Sequence, residues 1–135
     1  MQQPIATNDV VRFSSTKESQ YFDRKSARKD DKEIAKHISA FANAAGGKLV
    51  IGIEDDGEVT GFRRNGARDI ENFERAPITT CSPSPVVRSD RISVVNSSGE
   101  DDVILVLDVE ASLAMSYRGR ATERFFFVRT TRASS

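Results

Sequence analysis

Apolar side chains recur at helical spacing through residues 34–45. Successive members of this set are four, three, one and three positions apart, and they are Ile34, Ile38, Phe41, Ala42 and Ala45. Such spacing places them on one face of an α-helix. Asp30 and Glu33 precede the stripe at the spacing of a capping box, with Asp in place of the usual Ser or Thr. The pattern predicts a helix that begins after Asp30 and ends within residues 43–47.

Alternating and continuous apolar patterns predict the strands. Residues 20–26 alternate between two faces, and the apolar run at residues 49–53 is typical of a strand buried on both faces. Three later strands are predicted over residues 91–95, 103–109 and 125–129.

The segments between these elements carry turn and loop signals. Asp-Asp-Gly at residues 55–57 predicts a turn, after which residues 59–62 return as the second strand of a hairpin. A short charged helix is predicted over residues 68–75. The residues CSPSP at 81–85 and the stretch 111–122 are predicted to be loops.

The order of these elements predicts an α/β (α+β) fold. A single small domain over residues 15–135 contains a mixed sheet, one main helix and one short helix, and residues 1–14 precede it as a flexible arm. A length of 135 residues suits one domain. One main helix cannot cover both faces of such a sheet.

Charge is balanced overall but segregated along the chain. There are 20 basic and 20 acidic residues, yet residues 24–29 hold four basic residues and no acid. Residues 118–132 hold five arginines and one acid, whereas acids concentrate at residues 54–58 and 100–102. A neutral protein with segregated charge can present a basic face to phosphates, although the same residues also fit an ordinary solvated surface.

Several classes of protein are excluded or disfavoured by composition. No apolar run approaches the roughly 18 residues of a membrane span, and residues 1–13 do not resemble a signal peptide. A single cysteine, Cys81, cannot form an internal disulfide, and it is interpreted as inert. The single histidine, His37, is interpreted as a packed helix residue rather than a metal ligand. We therefore expect a cytoplasmic protein without a membrane segment.

Five residues are interpreted as structural. Gly46 and Gly47 lie where a helix ends, and no GxxxxGK[ST] motif accompanies them, so helix capping explains them better than ATP binding. Gly46 is expected to have a positive φ. The other residues given structural roles are Asn43, Gly52 and Gly57.

Residues 18–62 carry several motifs in a fixed order. Glu18, Asp23 and Lys25 open the series, AFAN followed by GG ends the helix at residues 40–47, and Gly52, Asp55, Gly57 and Gly61 lie in the strand and hairpin that follow. This ordered set resembles the Schlafen-type AlbA domain, which shows the same opening motif, helix end, strand and hairpin. The C-terminal FFFVRTTRASS is similar to the closing strand of the family.

The opening motif departs from the family pattern at two positions. Asp23 stands where many members have Glu. Arg24 replaces a residue that is usually apolar. This predicts that the strand of residues 20–26 lies at an edge of the sheet or that its inner end is accessible to solvent.

The resemblance implies an acidic site. In Schlafen cores an acidic trio at these motif positions is associated with metal-dependent RNA cleavage, which points to Glu18, Asp23 and Asp55 as metal-binding and catalytic residues, with Asp56 as an alternate for Asp55. Carboxylates from neighbouring elements could bind Mg²⁺ or Mn²⁺, with Lys25 beside them. The other interpretation makes Asp55 and Asp56 turn formers and Glu18 a solvated residue.

The resemblance also implies a nucleic-acid partner. Lys25, Arg28 and Lys29 enter the loop before the main helix and could neutralise phosphates without reading sequence. Arg129 and Arg132 are further candidates. We therefore expect a nucleic-acid-binding module, with a metal-dependent endoribonuclease and a protein-interaction or dimerisation module as alternatives. The choice between DNA and RNA, a homodimer, and the presence of further domains stay open at this point.

Overall fold

The computed structural model describes residues 7–19, 21–82, 84–112 and 116–117. The helices are α1 (Thr7–Ser15), α2 (Asp31–Asn43) and α3 (Ile70–Thr80). The strands are β1 (Phe22–Lys25), β2 (Gly47–Ile51), β3 (Cys81–Ser82), β4 (Val87–Val95), β5 (Asp101–Val109) and β6 (Ser116–Tyr117).

Four strands form a mixed sheet in the order β1-β2-β5-β4. Strand β1 pairs with β2 in parallel, and the other two pairings are antiparallel. The short strands β3 and β6 form a separate antiparallel pair. This arrangement confirms the predicted α/β (α+β) class and mixed sheet.

Helices α2 and α3 cover one face of the sheet. The stripe of α2 buries Ile34 and Ile38 completely, in one core cluster with Leu49 and Leu105 from the sheet. Asp30 caps the helix as expected, because its side chain accepts a hydrogen bond of 3.1 Å from the backbone N–H of Lys32.

Helix α1 covers the opposite face. Phe13 is buried and its ring stacks on Phe22, with ring centroids 6.2 Å apart, in a second cluster that contains Val50 and Ile104. The prediction of an irregular arm over residues 1–14 is therefore wrong for residues 7–14. The segment is short and mostly polar, so its sequence pattern did not predict a helix. The helix is stabilised because its few apolar residues pack on the second apolar face of the sheet.

Other predicted elements shift or disappear. The predicted return strand at residues 59–62 is reduced to one isolated bridge between Ile53 and Val59 in the described chain. Glu54 N donates to Glu58 O and Thr60 N donates to Gly52 O around this bridge, and the ladder does not continue because Gly61 N donates to the same Gly52 O.

The remaining differences concern boundaries. The short helix predicted at residues 68–75 is α3, and the strands predicted at 91–95 and 103–109 both begin earlier, as β4 and β5. Two residues each of the predicted loops 81–85 and 111–122 pair as β3 and β6. The strand predicted at residues 125–129 lies outside the described residues.

The glycine pair after α2 lets two elements approach closely. Gly46 has φ +84°, as predicted, and a Cβ there would lie 2.7 Å from the carbonyl oxygen of Val109 in β5. A Cβ on Gly47 would lie 2.5 Å from the ring of Phe41. These glycines therefore allow the helix and the sheet to pack closely, in addition to ending the helix. Asn43 is the last residue of α2, and Gly52 and Gly57 also have positive φ.

None of the helices in the described part of the chain has the length and apolar character needed to span a bilayer.

Candidate nucleic-acid interface

Two of the three predicted acidic residues meet beside β1. The backbone N–H of Arg24 lies 3.2 Å from Glu18 Oε2 and 2.9 Å from Asp23 Oδ1, so both carboxyl groups accept from it. Burial, a hydrogen bond to Asp23 and the negative charges of Asp23 and Asp55 raise the pKa of Glu18. The structure thus joins Glu18 to Asp23 directly, while Asp55 is exposed and acts on Glu18 through its charge.

The other oxygen of Asp23 faces two nitrogen groups. Lys25 Nζ lies 3.4 Å and His37 Nδ1 lies 3.5 Å from Asp23 Oδ2. His37, interpreted from the sequence as a packed helix residue, lies on α2 beside the acidic pair and remains partly exposed. Burial and the charge of Lys25 lower the pKa of His37, which favours its neutral form.

The described acidic residues do not form a preformed group of metal ligands. In the described ranges there is no group of three His, Cys, Asp or Glu side chains that could hold a metal ion. The ammonium of Lys25 already neutralises Asp23, which removes part of the repulsion that a cation would relieve.

The predicted basic loop divides into one inward and two outward residues. The Lys25 side chain is only 16% exposed and pairs with Asp23. Arg28 and Lys29 are exposed, and Lys29 makes a long contact of 3.9 Å with Glu33. A surface pair of that length contributes little to stability, so the charge of Lys29 faces solvent.

Arg24 is not part of this basic surface. It is 6% exposed, and its NH1 donates to the carbonyl oxygens of Phe13, at 2.9 Å, and Thr16. Its guanidinium carbon also lies 5.6 Å from the ring centroid of Phe22. Arg24 thus connects the end of α1 to β1. Strand β1 is an edge strand of the four-stranded sheet, as the charged side chain at position 24 predicted.

A second basic loop lies against the first and was missed at the sequence level. Residues 62–68, FRRNGAR, contain three arginines and no acid. Arg28 Nε donates to the carbonyl oxygen of Asn65 at 2.9 Å, Arg68 N donates to the carbonyl oxygen of Ala27 at 2.9 Å, and Arg68 Nε lies 3.4 Å from the carbonyl oxygen of Arg28. The density of arginine in a glycine-containing loop was the available signal.

Gly66 allows the close contact between the two loops. It has φ +83°, and a Cβ there would lie 3.2 Å from Arg28 Nε. Arg28 and Arg68 therefore project from one continuous surface of two joined loops, which we call the arginine platform.

Asp102 anchors the second loop to the sheet. Its buried carboxylate accepts hydrogen bonds from Phe62 N at 2.8 Å, Arg63 N at 3.2 Å, Val103 N at 2.7 Å and Asn96 Nδ2 at 2.8 Å. Burial opposes ionisation, but these four hydrogen bonds outweigh it and lower the pKa of Asp102. The acid therefore positions an arginine loop rather than adding to the solvated acidic surface.

Arg129 and Arg132, the remaining predicted contacts, lie outside the described residues.

Comparison with known protein families identifies the family of this chain. No curated protein matches the chain significantly. The family model described as Schlafen, AlbA_2 matches residues 18–135, which include the motifs of residues 18–62. The chain therefore belongs to the Schlafen AlbA_2 family.

Proposed function

We propose that this domain binds nucleic acid through the phosphate backbone, with the arginine platform as its main contact surface. Family membership indicates a nucleic-acid-related role. The observation that carries the proposal is the pair of hydrogen bonds that joins the two basic loops, from Arg28 to Asn65 O and from Arg68 N to Ala27 O. Because these bonds hold the loops together before any ligand arrives, less ordering is needed on binding.

The chemistry of the platform suits phosphate oxygens. Arg28 and Arg68 use Nε for contacts within the protein, and their terminal nitrogens make no hydrogen bond to other described residues. A guanidinium presents its donors in a planar fork that matches two phosphate oxygens. Such contacts position a backbone without reading bases, so both RNA and DNA are suitable ligands.

Lys29 and Lys25 are expected to contribute unequally to phosphate binding. Lys29 extends the platform with an exposed charge. Lys25 contributes less, because its ammonium is paired with Asp23 and largely buried. Arg129 and Arg132 stay as additional predicted contacts.

Neutralising the platform should weaken binding and reduce its dependence on salt. We expect Arg28→Gln and Arg68→Gln each to lower the slope of log affinity against log salt concentration by about one phosphate contact, with additive effects in the double variant. Lys25→Gln should change the slope less than either. Fluorescence anisotropy with single-stranded RNA, transfer RNA and duplex DNA at several salt concentrations measures these slopes.

Arg75→Gln provides the matched control, since Arg75 is an exposed arginine of α3 that bonds Asn72 and lies outside both loops. Its salt slope should equal that of the wild type. A double platform variant that melts normally and keeps the wild-type slope would show that nucleic acid binds another surface.

Metal-dependent cleavage of RNA is the second candidate function. The observation in its favour is that the charges of Asp23 and Asp55 both raise the pKa of Glu18, so three carboxyl groups interact near β1. Mg²⁺ or Mn²⁺ would relieve their repulsion and could supply an activated water. We place binding ahead of cleavage because Lys25 and His37 flank Asp23, and because Asp23 is shorter than the Glu common in the family.

The effect of manganese on melting and on RNA cleavage distinguishes the two candidate functions. We expect the melting temperature to be the same with manganese and with EDTA, and bound RNA to stay intact in both. A ligand that binds only the folded state raises the melting temperature. A manganese-dependent rise that Asp55→Asn abolishes and Asp56→Asn preserves, together with EDTA-sensitive RNA cleavage, would establish the nuclease instead.

A further inference from the structure

Strand β4 lies at the end of the sheet opposite β1. It pairs with β5 along all nine residues, Val87–Val95, and no other strand of the described ranges pairs with it. A long edge presents backbone N–H and C=O groups that can pair with another strand. The side chains along this edge decide which strand fits.

The register with β5 assigns the side chains of β4 to the two faces. Ile92 lies opposite Ile104 and belongs to the cluster under α1, so Arg88 and Asp90, two and four positions earlier, share that face. Both are exposed. Arg91 belongs to the other face, where it forms two bonds of 2.7 Å with Glu74.

We propose that β4 pairs with β4 of a second copy of this chain, antiparallel, around a twofold axis at Ser89. In this register Arg88 lies opposite the partner's Asp90, and Asp90 lies opposite the partner's Arg88. A twofold interface of this kind repeats every contact, so one complementary pair becomes two. Opposite charges directly across two antiparallel strands stabilise the pairing, and like charges destabilise it.

Neighbouring registers lack this complementarity. An axis at Arg88 would place two arginines opposite each other, and an axis at Asp90 would place two aspartates opposite each other. An axis at Arg91 would oppose two arginines and would also set Asp90 against Ile92. Charged residues at a sheet edge usually prevent pairing with another strand. In β4, the opposite charges of Arg88 and Asp90 make one register self-complementary instead.

An exposed apolar residue also fits the register centred on Ser89. Val86 is 61% exposed, and its carbonyl oxygen accepts from Glu110 N at 3.0 Å, so it extends β4 along the sheet. The proposed pairing places Val86 opposite the partner's Ile92. The dimer would therefore cover an apolar side chain that the single chain leaves in water.

Charge reversal tests the register. Sedimentation velocity across a range of concentrations should show a monomer–dimer equilibrium for the wild type. Arg88→Asp and Asp90→Arg should each raise the dissociation constant by about tenfold or more, because each turns two attractive pairs into two repulsive ones. The double variant Arg88→Asp/Asp90→Arg should dimerise like the wild type, since the pairs are restored with their signs exchanged.

Mixing the single variants gives the most specific readout. The Arg88→Asp chain carries acids at positions 88 and 90, and the Asp90→Arg chain carries arginines at both, so the mixture should form a heterodimer at concentrations where each chain alone is largely monomeric. Arg75→Asp, on α3, is the control and should dimerise normally. A wild type that stays monomeric at all concentrations, or a double variant or mixture that stays monomeric while melting normally, would overturn the proposal.

Discussion

At the scale of single residues, the role of a charged side chain follows from what surrounds it. Arg24 and Arg28 are four positions apart, yet Arg24 is buried against α1 and Arg28 projects from the arginine platform. Asp101 and Asp102 are neighbours, yet Asp101 is exposed and Asp102 is buried with four hydrogen bonds. Asp102 therefore connects the sheet to the second basic loop through the backbone N–H groups of Phe62 and Arg63.

Replacing Asp102 should have a pH-dependent cost. The hydrogen bonds lower the pKa of Asp102 in the folded state, so its contribution to the free energy of unfolding is present above the unfolded value of about 3.9 and is lost as pH falls through the folded pKa. We expect Asp102→Asn to lower the free energy of unfolding at pH 7 by about 1–3 kcal/mol. The difference from the wild type should shrink on acidification.

Urea denaturation at neutral and acidic pH measures this difference, with Asp101→Asn as the exposed neighbouring control. A cost for Asp102→Asn that is the same at both pH values would contradict the assignment of a stabilising ionised carboxylate. Affinity for RNA is a second readout, and it should fall in Asp102→Asn alone because that residue accepts from Phe62 N and Arg63 N.

At the scale of elements, the fold depends on a helix with a weak sequence signal. Helix α1 has nine residues, too few to be stable in isolation, and packing on the sheet must stabilise it. Phe13 stacked on Phe22 and the hydrogen bonds from Arg24 supply that packing. Without α1, the face that contains Val50 and Ile104 would contact water.

Truncation of Phe13 should therefore cost far more than truncation elsewhere on α1. We expect Phe13→Ala to lower the free energy of unfolding by about 3–5 kcal/mol, the usual range for a buried phenylalanine. Val11→Ala on the same helix is the control and should cost much less, since Val11 is 60% exposed. Equal costs in chemical denaturation would mean that α1 does not cover the sheet.

At the scale of the whole molecule, the balanced net charge hides two separate surfaces. Within the arginine platform, Arg28 follows β1 at one edge of the sheet, whereas the proposed dimer edge is β4 at the other edge. A dimer paired through β4 would carry two platforms, which doubles the basic surface offered to one nucleic acid if both platforms contact it. Binding two connected sites raises overall affinity without any new contact.

Much of the local structure could be predicted from the sequence because neighbouring residues encode it. The apolar stripe of α2, its cap at Asp30 and the positive φ of Gly46 all depend on residues a few positions apart. The apolar runs of β2 and β5 and the ordered motifs of residues 18–62 were equally readable, and the motifs sufficed to predict the family that the comparison shows.

The arrangement of the candidate site depended on the tertiary structure. Arg28 meets Asn65 across 37 positions, Asp102 meets Phe62 across 40, and Asp23 meets His37 between a strand and a helix. No period or cap encodes such contacts, because they arise only when the sheet brings distant segments together. The sequence by itself determined which residues are basic, acidic or apolar, whereas the packing of helices and loops around the sheet decided which charges are buried, paired or presented to a ligand.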